Sequence, residues 1–137
     1  MSLYRILDIA GSAMSAQSLR LNATASNLAN ASTVAGTPEA AYRARSPLFQ
    51  TVLQGQGSDA ASAGVRVAGV VESQASPARV HQPGHPLADA EGYVYMSNVN
   101  VVDEMVNMIS ASRSYQNNIE MLNTSRDLLL RTLTLGQ

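Results

Sequence analysis

The chain opens and closes on one hydrophobic pattern and abandons it in between. The positions Leu3, Leu7, Ala10, Met14, Gln17, Leu21, Thr24 and Leu28 follow one another at alternating steps of four and three, and six of the eight are apolar. This is a heptad seam, and it predicts a helix of roughly 42 Å that packs lengthwise on another helix. The run Asn30-Ala31-Ser32-Thr33, then Gly36 and Pro38, signals its end. From Asn100 the same series returns as Val101, Met105, Met108, Ser112, Tyr115, Ile119, Leu122, Arg126, Leu129 and Leu133, eight of ten apolar. Asn100 suits an N-cap, and Asp103 and Glu104 suit the positive first turn.

Between the two seams the period changes. All five Pro fall between residues 37 and 97, and Gly is frequent there. Short β-prone runs at Ser46 to Leu53, Val65 to Val71 and Tyr93 to Met96 are separated by turn sequences such as Gly55-Gln56-Gly57-Ser58 and Pro83-Gly84-His85-Pro86. The reading is a mainly α chain with a small irregular β element. Residues 1–33 form an N-terminal coiled-coil helix, residues 34–97 a β-rich or extended middle, and residues 98–137 a C-terminal coiled-coil helix that packs on the first. The seam residues of the first helix are expected to meet those of the second within one subunit. Asn27 and Asn30 are expected either to bond neighbouring chains or to cap the first helix.

Composition narrows the function. The 137 residues are 45% hydrophobic but only 14% charged, against about 25% in an ordinary soluble domain. The net charge is −1 and no Lys is present, which argues against a basic nucleic-acid surface. Aromatic residues are 4%, too few for a large aromatic-lined pocket, so no small-molecule substrate is expected. The absence of Cys removes disulfides, thiol nucleophiles and Cys-ligated metals. Arg5 alone flanks the first apolar stretch and Asp8 interrupts it, so a cleavable signal peptide is not expected.

The distribution of charge is more telling. Between Ile9 and Pro38 the only charged residue is Arg20, and between Met105 and Ile119 the only one is Arg113. A helix on a monomer's surface normally carries a charged outer face. Here the outer positions are Ala, Ser, Thr, Asn and Gln, which permit close backbone approach and hydrogen bonding without the desolvation cost of an ion. This composition suits helices touched on several sides by other copies. The alternative is a helical-hairpin adaptor or export chaperone that binds one client without polymerising.

Other signals point to no chemistry. His81 and His85 are four apart, but Pro83 and Gly84 between them break the helix that would bring them together, and no third ligand is evident. Asp89 and Glu91 flank a turn at Gly92 without a convergent pocket, and no Gly-x-Ser-x-Gly elbow occurs. Tyr93 and Tyr95 share one strand face and are expected to pack on the helices. No catalytic residue, cofactor or metal is assigned.

The segment Ser12-Ala13-Met14-Ser15-Ala16-Gln17, followed by Leu21 through Thr33 with its Asn27-Leu28-Ala29-Asn30 core, resembles the N-terminal signature of bacterial flagellar rod and hook proteins. Gly64 to Ser73, Pro83 to Val94 and, above all, Asn98 to Ile109 resemble further segments of the rod proteins. Ser26 stands where the family usually has Asn, and Glu39-Ala40-Ala41 replaces a Gly-rich approach to Tyr42. The resemblance implies a structural subunit of the proximal rod of the basal body, the drive shaft crossing the periplasm. It implies export through the flagellar type III apparatus, without cleavage. It also implies partners among other copies, other rod proteins and the MS-ring and rod-base proteins. The residues expected to carry assembly and helix packing are Leu3, Leu7, Met14, Leu21, Asn27, Leu28, Asn30, Val101, Met105, Met108, Tyr115, Ile119, Leu122, Leu129 and Leu133.

Overall fold

Two long helices and a set of short antiparallel strands make up the chain. The computed structural model describes residues 3–53 and 63–135; the side chain of Leu3, the predicted turn at 55–58 and Gly136 lie outside the described residues. Helix α1 spans Leu3–Asn30 and helix α2 spans Val101–Leu135. Between them come β1 (Val34–Ala35), β2 (Arg45–Leu53), β3 (Ala63–Glu72), β4 (Ala78–His81) and β5 (Tyr93–Met96). Strands β2 and β3 form an antiparallel two-stranded ribbon, with a register shift between Leu48 and Phe49. The other strands form a small sheet in the order β1-β5-β4, also antiparallel. Strand β1 has only two residues, and β4 carries Val80 as its one β-branched residue, so neither was expected from the sequence.

The predicted N-cap is in place: the Asn100 side-chain oxygen accepts from the Val102 N–H at 3.0 Å, and its carbonyl accepts from the Glu104 N–H at 3.0 Å. The helices run antiparallel, because contacts from Asn27 to Glu104 and from Arg20 to Asn107 set the end of α1 beside the start of α2. Helix α2 is 35 residues long and α1 is 28, so about two turns of α2 run past the start of α1.

Apart from Asn27, the buried positions of the two helices are small residues. Ala10, Ala16 and Thr24 are buried on α1, and Ala111 and Ser125 on α2. Leu7, Met14, Leu21 and Leu28 are half-buried, as are Met108, Tyr115, Leu122 and Leu129. The expected seam of α2 is corrected in its alternate positions. The set Met105, Ile119, Arg126 and Leu133, with Val101, faces outward. Its place is taken by Glu104, Ala111, Asn118 and Ser125, one residue earlier in each heptad. The cause is steric and polar together. Ala111 and Ser125 allow a closer approach than Ile or Leu would, since interaxial distance follows side-chain size. Glu104 is held inward by Asn27.

Asn27 is the hub of that end. It is 1% exposed. Its Nδ2 donates to the Arg45 carbonyl at 2.9 Å and to Glu104 Oε2 at 3.0 Å. Its Oδ1 accepts from the Arg45 N–H at 2.8 Å and from the Tyr42 hydroxyl at 3.1 Å. The amide thus pairs with Arg45 as a strand would and fixes the start of β2 on α1. Ser26 Oγ shares a hydrogen bond with the same Tyr42 hydroxyl. Asn107 extends the cluster, accepting from Arg20 at 2.9 Å and donating to Glu104 Oε1 at 3.4 Å. Neither expected role fits Asn27, whose donors and acceptors are used inside its own chain. Asn30 donates to the Ser26 carbonyl at 2.8 Å, a capping contact on its own helix.

Asn98 does similar work one strand away. It accepts from the Ala44 N–H at 2.7 Å and donates to the Ala75 carbonyl at 2.8 Å. Ser97 is buried and donates to the Ala31 carbonyl at 2.7 Å. In β5, Val94 is the fully buried residue. The expected packing of Tyr93 and Tyr95 on the helices is not what the structure shows: their side chains meet Arg79, His81 and Asp89. The Arg79 guanidinium lies 3.7 Å over the Tyr93 ring while pairing with Glu91, and His81 tilts against Tyr93 at 4.8 Å. Asp89 closes the loop ahead of β5. The Tyr93 N–H, more than its other donors, holds this carboxyl below its ordinary value; Glu91 N–H and the Tyr95 hydroxyl act the same way, against the opposing effect of desolvation. Gly92 turns the chain at φ +80°, where a Cβ would lie 3.0 Å from Pro83 Cβ and 3.2 Å from His81 Nε2.

These contacts give two expected outcomes. Asn27→Ala removes the partners of the Arg45 N–H and of Glu104, and is expected to lower unfolding free energy by about 2–3 kcal/mol in urea titrations, the cost of orphaning buried polar groups. Asn27→Asp sets a second carboxylate against Glu104, so its deficit relative to the parent shrinks as pH falls from 7 toward the carboxylate range. An Asp variant as stable as the parent at pH 7 contradicts the network. Gly92→Ala is expected to cost about 1–3 kcal/mol, read as a lower thermal midpoint, from left-handed strain and the Pro83 contact.

Candidate assembly surface

Helix α2 has more large apolar residues than its contact with α1 covers, and it exposes the remainder. Val101, Val102, Met105, Val106 and Ile109 recur at offsets 0, 1, 4, 5 and 8, which is one side of a helix. All five are exposed, Val102 by 68% and Met105 by 53%. Arg113 follows one turn later and is exposed. Farther along, Ile119, Met121, Leu128, Leu130, Leu133 and Leu135 are exposed on more than one side, and Leu135 reaches 87%. Monomeric proteins rarely expose contiguous apolar area on this scale without a partner for it.

Helix α1 is the converse. Ser15, Ser18, Asn22, Ala25 and Ala29 recur at steps of three and four on its outer side, all exposed. Its one cation in that stretch, Arg20, is tied to Asn107. The β2–β3 ribbon lies along α1, where the Ser12 hydroxyl accepts from the Val65 N–H at 3.2 Å. A groove of about 580 Å³ runs between α1 and β3, lined by Ser12, Ser15, Ser18 and Leu19 with Val65 and Val67. The ribbon exposes Leu48, Phe49, Val70 and Val71.

The residues expected from the sequence therefore divide in two. Leu7, Met14, Leu21, Leu28, Met108, Tyr115, Leu122 and Leu129 line the contact between the two helices, and Asn27 and Asn30 sit at its end. Val101, Met105, Ile119 and Leu133 lie on the open face. Sequence reasoning missed Val102, Val106 and Ile109 as members of that face, and Met121, Leu128, Leu130 and Leu135 as further exposed apolar positions. The signal was present: α2 has apolar residues at more positions than one seam can hold. His81, His85, Asp89 and Glu91 are occupied by the loop between β4 and β5, where His85 Nδ1 accepts from the Leu87 N–H and Asp89 accepts from backbone.

Comparison with known proteins identifies what such a surface belongs to. Residues 7–36 match the family described as flagella basal body rod protein. Residues 90–135 match the C-terminal family of the flagellar basal body rod FlgEFG proteins. Over the full length of both chains, the sequence is 59% identical to flagellar basal-body rod protein FlgC of Salmonella typhimurium and 58% identical to that of Escherichia coli O157:H7. It is 37% identical, again over both full lengths, to that of Buchnera aphidicola subsp. Baizongia pistaciae. The chain belongs to the FlgC family of flagellar basal-body rod proteins.

Proposed function

We propose that this chain is a structural subunit of the proximal rod, the part of the basal body that transmits torque, and that it carries no enzymatic activity. The observation that supports this reading most is the open apolar row on α2: Val101, Val102, Met105, Val106 and Ile109 stand exposed while Ala111 and Ser125 are buried. A subunit that is to be packed between copies needs this arrangement, and an autonomous monomer does not. Long helices packed along their lengths spread a load over many small contacts, none of which must carry it alone. The partners proposed are other copies of this chain, neighbouring rod proteins, the export apparatus and the proteins at the rod base. The site proposed is the rod as it crosses the periplasm, reached by export without a cleaved signal peptide.

Deleting the coding region is expected to abolish swimming and to leave basal bodies without a rod. Leu128→Asp and Leu133→Asp change exposed positions, so the purified variants should keep the parent's thermal midpoint while failing to restore swimming to the deletion strain. Full motility of both variants contradicts the reading. Ala111→Leu overpacks the intrachain contact instead and is expected to lower stability by about 1–3 kcal/mol.

A further inference from the structure

Two faces stay open once the intrachain contacts are made, and they differ in kind. One is the row Val102, Met105, Val106 and Ile109 on α2. The other is the groove between α1 and β3, which continues through Leu19 and Asn22 into a second hollow of about 430 Å³ beside Val70. At 3.6 residues per turn, Ser15 and Asn22 lie on the side of α1 turned away from Ala10 and Thr24, which meet α2. By the same count Val102 and Ile109 lie on the side of α2 turned away from Ala111 and Ser125.

We infer that the α2 row of one copy seats in the α1–β3 groove of the next. This inference rests on the rod-subunit reading and adds which face meets which. Shape supports it, since large apolar side chains meet a trough with Ser12, Ser15 and Ser18 on the α1 side and Val65 and Val67 on the β3 side. Charge supports it independently. The groove's own cations are occupied, Arg45 by Glu72 and Arg66 by Gln50. What remains is one charge at the end of each face. Arg113 stands one turn beyond Ile109, and Asp8 one turn before Ser12; both are exposed, and neither makes an ion pair among the described residues.

These charges set a register. In an array of copies in one orientation, a neighbour's α2 runs antiparallel to this α1, as its own α2 does. With Arg113 opposite Asp8, counting back places Ile109 at Ser12, Val106 at Ser15 and Val102 at Leu19. Those three α1 residues all line the groove. Charge and shape therefore select the same alignment. Because row and groove point to opposite sides, each copy added leaves one of each free, and the contact propagates instead of closing into a two-fold dimer.

The test uses full-length protein in the deletion strain. The parent has no Cys, so engineered pairs report cleanly. A chain carrying Ser15→Cys and Val106→Cys is expected to give a ladder of disulfide-linked oligomers when isolated basal bodies are oxidised. The pair Ser15→Cys and Thr124→Cys, displaced by about 27 Å along α2, is expected to give none. In a second arm, Asp8→Arg and Arg113→Asp are each expected to reduce swimming by about tenfold, and the double variant to recover at least half of the parent's rate. The inference is overturned by a Ser15/Val106 pair that links no better than the control pair, or by single charge variants that swim as the parent does. It is equally overturned by a double variant no better than the singles. Where the parent protein itself is missing from basal bodies the rod reading fails; where it is present and the pairing fails, only the pairing is lost.

Discussion

The structure depends on how closely α1 and α2 approach. Ala10 and Ala111 are almost without exposed surface, and with Thr24 and Ser125 they let two helix backbones come together where Leu or Ile would hold them apart. The choice has a consequence for every other apolar residue on α2. A narrow seam has no room for Met105 or Ile119, so they stand outside with Val102, Val106 and Ile109. The same contact that joins one subunit's helices leaves its most hydrophobic surface uncovered.

Polar residues decide where that contact begins and how the middle of the chain is attached. Asn27 holds the Arg45 backbone and Glu104 at once, so the first turn of α2, the start of β2 and the last turn of α1 share one buried amide. Asn98 ties residues 44 and 75 together in the same manner. Amides suit this role because they donate and accept without carrying a charge that would need solvation. A buried network of this kind is effective only when every member is satisfied.

Much of the fold was legible in the sequence. The four-three series marks the helices, Asn100 marks the start of α2, and the three longer β-prone runs become β2, β3 and β5. Strand β1 was not legible because it has two residues, and β4 because Val80 is its one β-branched residue, whereas β5, equally short, reads Tyr-Val-Tyr-Met. The heptad phase of α2 misled for a physical reason. Hydrophobicity alone favours Met105 and Ile119 for the seam, whereas packing favours Ala111 and Ser125 and hydrogen bonding favours Glu104. Asn27 was expected to bond neighbouring chains or cap its helix; its partners lie 18 and 77 residues away in its own chain, and no local rule reaches them. The open face was half-seen: lack of charge announced it, while its members became visible only once the seam was placed.

Each chain brings a two-helix unit, tied at one end by Asn27, and an apolar face on α2 left open by its own contacts. The most direct measurement is of the accessibility of Met105, which is 53% exposed in the single chain. Its oxidation by dilute peroxide, followed by mass spectrometry in the free protein and in isolated basal bodies, reports whether another polypeptide covers it. The account predicts rapid oxidation in the free protein and at least about tenfold protection in the basal body, consistent with the dependence of Met oxidation on exposure. Equal rates in the two states contradict it.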